Sequence, residues 1–244
     1  MEFFTELLKK INELVWGLPL ICLLLGTGIY FTYKLKLIQL IKLKLAFKLI
    51  FKKENNKEGD VSSFQALCTA LSSTVGTGNI VGVATAIAAG GPGALFWMWA
   101  IAFLGAGSAF AESTLGQLYK EEHDGEYRGG PAYYIEKGFG STTFSKAYAT
   151  LFAIVTVIAI GILLPGVQSN SIAVSINNAF GISVNVTAVF LVILTGVVIF
   201  GGIKRIGSAA EFIVPFMGGA YILMALIIII VHIGYLPHVL ALIF

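Results

Sequence analysis

Residues 72–79 read Ser-Ser-Thr-Val-Gly-Thr-Gly-Asn, in the middle of an apolar segment long enough to cross a membrane. Hydrocarbon offers no hydrogen-bond partners, and each unsatisfied backbone group there costs several kcal/mol. Hydroxyls, two glycines and an asparagine in mid-segment therefore require a backbone that is buried in protein or lines a cavity. The chain must fold so that this break is enclosed, and such a break marks a binding site.

The rest of the sequence fits a membrane setting. Of 244 residues, 57% are hydrophobic and 12% charged, and the mean hydropathy is +0.88. Soluble domains carry about 25% charge. The apolar content divides into six candidate spans: 15–33, 64–89, 94–118, 144–180, 186–201 and 209–232. Glycine-rich exits at 90–93 and 201–202 supply turn chemistry. The first span lacks a cleavage pattern and is followed by lysines, as a retained span would be.

Charge orients these spans. Of the 16 Lys and Arg residues, all but Lys9 and Lys10 fall between spans one and two, between three and four or at the very start of four (Lys146), or between five and six. Six crossings put those three loops on one side, which the positive-inside rule makes cytoplasmic. Both chain ends are then outside. Between residues 35 and 53, lysines interleave with Leu, Ile and Phe. Two readings stand: a helix on the inner membrane surface, drawn to anionic lipid, or a continuation of the first span into the cytoplasm. The acidic stretch 121–128 reads as a solvated loop.

The two halves of the broken segment, 64–73 and 79–89, each cover roughly 15 Å, half the hydrocarbon thickness, so the break falls near the midplane. The first half ends in carbonyls from Ser72 to Val75. Carbonyl and hydroxyl oxygens at about 2.4 Å suit a hard cation such as Na⁺. The second half begins with N–H groups near Thr77, Gly78 and Asn79, and its positive dipole end suits a carboxylate. Gly76 and Gly78 let a ligand approach the backbone. A zwitterionic amino acid with Na⁺ matches that pair.

A packing kink and a channel filter compete with this ligand site. Gly78 and Gly82 form GxxxG, a small-residue face for close helix packing. Packing accounts for the glycines but not for Ser72, Ser73, Thr74, Thr77 and Asn79 together. Thr74–Gly78 is also one residue from the TVGYG filter of potassium channels. A filter loop would not cross, and six later basic residues would move outside, against the charge distribution.

Other polar positions are weaker signals. Gln168, Ser171, Ser175 and Asn178 recur at helical spacing, either on a long helix facing a cavity or in an external loop after Pro165. Glu112 is a possible intramembrane acid, functional by default or a structural partner of a helix end. Glu211 lies near Lys204 and Arg205 and reads as a structural ion pair. His123, His232 and His238 lack metal-ligand spacing, so no metal beyond Na⁺ is implied. Cys22 and Cys68 read as buried small hydrophobes. No GxxxxGK[ST] cradle and no converging Ser/His/Asp set occur. Catalysis, a cofactor and nucleic acid find no support.

The blocks 70–86, with its GTGN, and 90–99, GGPGALFWMW, closely resemble the alanine/glycine:cation symporter family. Residues 129–135, 168–171, 201–206 and 214–217 look like the same family in the same order. Ala132 stands where the family pattern would have Met. The resemblance implies an all-α integral membrane fold of two inverted five-helix repeats plus one extra helix, coupled to Na⁺ and moving alanine or glycine across the plasma membrane. It implies that Thr74, Gly76, Thr77, Gly78, Asn79 and Gln168 line the substrate site. Ser72 and Val75 would give carbonyls to Na⁺. On this reading 1–62 is a peripheral transmembrane helix with a basic cytoplasmic segment, and 63–244 is the first five-helix repeat. The family runs to about twice this length and needs a second broken helix, so an N-terminal half is expected, completed by a C-terminal half or partner chain. The alternatives are a transport-inactive fragment or subunit and a cation channel.

Overall fold

The computed structural model describes residues 2–51 and 61–244. Helix α1 (Glu2–Val15) leads through Trp16 and Gly17 into α2 (Leu18–Lys34). Short helices α3 (Ile38–Ile41) and α4 (Leu43–Ile50) follow. The broken span comprises α5 (Ser63–Thr74), a π-helical turn over Gly78–Gly82, and α6 (Val83–Gly90). Gly91, at φ +72°, ends α6 in a backbone region closed to most residues. Then come α7 (Ala94–Leu118), the strands β1 (Glu121–His123) and β2 (Glu126–Arg128), and α8 (Pro131–Gly138). Helix α9 (Thr143–Thr156) passes through a second π-helical segment, Val157–Leu163, into α10 (Leu164–Phe180). Helices α11 (Val184–Ile199), α12 (Gly202–Val231) and α13 (Leu236–Ile243) complete the order.

Among the described residues, four helical stretches are long and apolar enough to cross a membrane: Phe4–Lys34, Ala94–Leu118, Thr143–Phe180 and Gly202–Val231. The pair Ser63–Thr74 and Gly78–Gly90, bent by 59°, makes a fifth if it is one span. The expected span 186–201 is shorter than the rest. Helix α11 has 16 residues, about 24 Å at 1.5 Å per residue, against a hydrocarbon layer of about 30 Å. The protein is a multi-pass, almost wholly helical membrane protein.

Its interior is built from small residues, because lipid tails supply no hydrophobic drive between helices and close backbone approach must do the work. A Cβ on Gly107 would lie 2.9 Å from Thr32 Oγ1, and one on Gly28 would lie 3.1 Å from Leu104 Cβ, so α2 and α7 meet through their glycines. Helices α5 and α12 pack through Cys68, Ala210 and Val214, with Phe64 against them. Gln65 Nε2 donates to Glu211 Oε2 at 2.8 Å across the same interface. Large apolar side chains such as Phe200, Phe212 and Phe180 point outward, where a bilayer receives them.

Several expectations change here. The basic segment is not a continuation of α2: Lys36 and Leu37 adopt left-handed φ values of 52° and 56° and break the helix before α3. Lys52, Lys53 and Lys57 lie outside the described residues. The stretch 121–128 is a two-stranded antiparallel hairpin, with Glu122 paired to Tyr127. It is anchored rather than merely solvated: Lys137 of α8 pairs with Glu121 at 2.6 Å. Glu211 accepts from Gln65 of α5, a partner outside the expected ion pair with Lys204 and Arg205. Cys22 is exposed on α2, whereas Cys68 is buried. The long helix over 144–180 replaces the external-loop alternative after Pro165. Its end is set by Gly181, in a left-handed cap at φ +70°, with Asn177 Nδ2 donating to the Ile182 carbonyl at 2.8 Å.

Candidate functional site

Helix α5 starts with a capping box, in which the Ser62 hydroxyl accepts from Gln65 N–H and Gln65 reaches back to Ser62 N–H. It stops where its hydroxyls turn inward on their own backbone. Ser72 donates to the Thr69 carbonyl at 2.7 Å, Ser73 to Ala70 at 2.8 Å and Thr74 to Ala70 at 3.0 Å. Such back-bonding competes with the regular ladder and bends helices. Val75 then leaves the helix in an extended conformation, φ −93° and ψ 109°. The chain re-enters helical geometry at Thr77, first as the wide π turn and then as α6.

Two side chains bridge the gap. Asn79 Nδ2 donates to the Thr74 carbonyl at 3.2 Å, and Asn79 N–H donates to the Gly76 carbonyl at 3.0 Å. Gln168 arrives from α10. Its Oε1 accepts from Thr77 N–H at 3.2 Å and from Thr77 Oγ1 at 3.1 Å. The Gln168 amide lies directly over Gly76, where a Cβ would overlap Nε2. Gly78 and Gly82, by contrast, face open space.

The second π-helical segment accounts for how Gln168 gets there. Pro165 has no N–H, and its ring opposes the carbonyl four residues earlier. The widened turn over Val157–Leu163 absorbs that conflict within a continuous helix. Gln168 follows in the next turn. Ser171, in the same stripe, bonds its own helix at the Val167 carbonyl.

A cavity of about 670 Å³ lies between the break and α12. Val75, Gly76 and Asn79 form part of its wall, with Leu71, Val214 and Pro215 opposite and beside them. The chamber is largely apolar: of the expected site residues, Val75, Gly76 and Asn79 line it, whereas Ser72, Thr74, Thr77, Gly78 and Gln168 are not part of its lining. Among the expected residues, the structure joins Thr74 to Asn79 and Thr77 to Gln168, with Gly76 beneath the Gln168 amide. Ser72 lies one turn before Val75 on α5, with an exposed side chain. Glu112 sits elsewhere. Its charge acts on Tyr134 of α8, whose hydroxyl is raised above its ordinary value by burial first and by the Glu112 charge second. The roles of Gln65, Glu211 and Pro215 at this site's edge were not legible in the sequence. For Gln65 the capping-box spacing was the available signal.

Apolar helices of membrane length, one interrupted by hydroxyl- and glycine-rich backbone beside a cavity, define a multi-pass membrane protein with an intramembrane polar site. The chain belongs to the sodium:alanine symporter family, whose sequence profile matches residues 1–244. It is 56% identical over 240 residues to a putative sodium/proton-dependent alanine carrier protein of Bacillus subtilis, covering 98% of this chain and 49% of that protein. It is 45% identical over 236 residues to a sodium/alanine symporter of Methanococcus maripaludis, covering 96% of this chain and 52% of the other. A probable sodium/glutamine symporter of Bacillus subtilis is 44% identical over 233 residues, 95% of this chain and 48% of the relative. The chain spans about half the length of the curated relatives it matches. Family and relatives are transporters, not enzymes.

Proposed function

We propose that this chain carries one wall of the binding site of a Na⁺-coupled symporter for alanine or glycine. The observation that carries the reading is the convergence of Thr77 N–H and Thr77 Oγ1 on a single oxygen, Gln168 Oε1. Two donors at the start of a helix, aimed at one oxygen, suit one oxygen of a substrate carboxylate. The carboxylate takes over those donors and Gln168 is freed to accept from the substrate amine. Ser72 and Val75 offer carbonyl oxygens to Na⁺ from the end of α5, and Asn79 keeps the two ends of the break in register. Thr74, Gly76 and Gly78 complete the wall.

In this reading residues 1–62 are a peripheral helix and basic cytoplasmic segment, and 63–244 are the first of two inverted five-helix repeats. The facing wall of the site belongs to the second repeat. The basic loops lie in the cytoplasm of a plasma membrane and the N-terminus outside. Na⁺ and substrate each stabilise the occupied form of the cavity, which couples their movements.

Vesicle uptake tests this reading. Residues 1–244 are reconstituted alone, and also co-expressed with the C-terminal half of the Bacillus subtilis alanine carrier relative. Alanine uptake driven by an inward Na⁺ gradient is expected in the paired preparation, and Asn79→Ala lowers apparent alanine affinity there. Potassium current without uptake would establish the channel instead. Unchanged alanine affinity in Asn79→Ala would remove the break from the site.

A further inference from the structure

Helix α1 carries an apolar stripe that nothing in the transport reading uses. Phe4, Leu7, Leu8, Ile11, Leu14 and Val15 recur at three- and four-residue spacing, and each is between 43% and 67% exposed. Glu6, Lys9, Lys10 and Glu13 form the other face, where Lys10 pairs with Glu6 at 3.4 Å. The stripe does not end with the helix. It continues past Trp16, 71% exposed, into the outward-facing Leu18, Ile21 and Leu24 of α2, a membrane span. The apolar stretch across the two helices runs 31 residues, Phe4–Lys34, about 46 Å at 1.5 Å per residue. The hydrocarbon layer is about 30 Å, and α2 alone, with its 17 residues, accounts for most of that. Helix α1 is therefore the surplus, and it begins at the boundary of the bilayer.

The junction can turn. Gly17 is extended, at φ −87° and ψ −158°, and Pro19 follows at the start of α2. A Cβ on Gly17 would lie 2.6 Å from the Glu13 carbonyl oxygen, so the joint takes glycine. An exposed amphipathic helix joined at the bilayer boundary to a lipid-facing span, with an aromatic residue at the joint, has the makings of an interfacial helix.

We propose that α1 is a membrane-surface anchor whose Leu8–Ile11 face beds in the headgroup boundary of the bilayer. Over Glu2–Val15 the sequence has three acidic residues, Glu2, Glu6 and Glu13, and two basic ones, Lys9 and Lys10, so the helix has no basic excess and the anchor does not require anionic lipid. That separates it from α3 and α4, where Lys36, Lys42, Lys44 and Lys48 make the surface basic. The proposal is independent of which solute is carried.

Nitroxide labels test it on the full chain in a Cys22→Ser background, reconstituted in phosphatidylcholine vesicles. Labels at Leu8→Cys and Ile11→Cys are compared with labels at Lys9→Cys and Glu13→Cys, and Leu23→Cys on α2 reports that the span is seated in lipid. The expected result is a several-fold higher ratio of oxygen to nickel-chelate accessibility at 8 and 11 than at 9 and 13, unchanged when phosphatidylglycerol is added. Equal nickel access at all four positions would overturn the proposal. So would shielding of 8 and 11 from both reagents, with or without dipolar coupling between copies, because protein would then cover the stripe. A lipid contrast seen only with phosphatidylglycerol would overturn its charge independence.

Discussion

Substituting Gly76→Ala isolates the contact that joins the break to α10. Gly76 does not have a positive φ, so alanine is permitted by the backbone and the whole effect comes from the added methyl group. That group overlaps the Gln168 amide and displaces it from Thr77, where Oε1 accepts two hydrogen bonds. Interhelical hydrogen bonds in membrane proteins contribute about 0.6 kcal/mol on average and at most about 1.7. Two bonds sharing one acceptor then amount to about 1–2 kcal/mol, a five- to thirtyfold change in the folded-to-unfolded ratio. The assay is a double-mutant cycle read by denaturant titration in detergent micelles, with Gly76→Ala, Gln168→Ala and both together. Removing the Gln168 amide opens the space for the methyl group, so Gly76→Ala costs little in the Gln168→Ala background. The coupling is then about 1–2 kcal/mol. An equal cost of Gly76→Ala in both backgrounds would refute the assignment of Gln168 as the group seated over Gly76.

Gly107→Ala places a methyl group against Thr32 and forces α2 and α7 apart, lowering stability by about 1–3 kcal/mol. Gly105→Ala, two residues away and with nothing within 4 Å, is neutral or slightly stabilising in the same unfolding assay. Equal effects would argue against a glycine-mediated interface. The hairpin responds to acid. Lys137 and then His123 bond the Glu121 carboxylate and hold it below its ordinary value of 4.5. A lowered carboxylate contributes stability above its ordinary value and loses it as pH falls through the folded value. Amide-exchange protection over residues 121–128 therefore holds from about pH 7 to 5 and drops below 4.5, a drop that Glu121→Gln abolishes. Asn79→Asp turns the donor facing the Thr74 carbonyl into an acceptor, so it destabilises the break more than Asn79→Ala in detergent unfolding. Equal loss would show that the bridge is not what holds the two ends.

Much of the site could be read before folding because the membrane penalises polar backbone so strongly. A run of hydroxyls and glycines at mid-span has few permitted conformations, and the observed break, between Thr74 and Gly78, falls within the expected one. Gln168 was visible as a member of a helical polar stripe. Its contact with Thr77, 91 residues away, was not, because spacing reports which face a residue occupies and not which helix it meets. The expected free N–H groups also changed character. Thr77 N–H is held by Gln168 and Asn79 N–H by Gly76, so the protein satisfies donors that would otherwise stand open in an apolar chamber. Glu211 shows the opposite limit. Its sequence neighbours suggested an ion pair, and its bond to Gln65, on α5 and 146 residues away, could not be read from them.

Hydropathy, charge placement and the 72–79 run by themselves determined a multi-span helical membrane protein with an intramembrane break, because hydrocarbon admits only helices and closed β-barrels, and apolar runs of about 20 residues are of helix length. Tertiary structure alone decided which groups meet across that break. It set Asn79 across to Thr74 and carried Gln168 past the Pro165 turn to Thr77. It also placed Val214 and Pro215 beside the cavity. The reason is that solvation cost acts on each residue where it stands, whereas close packing depends on which small residues let two distant helices approach.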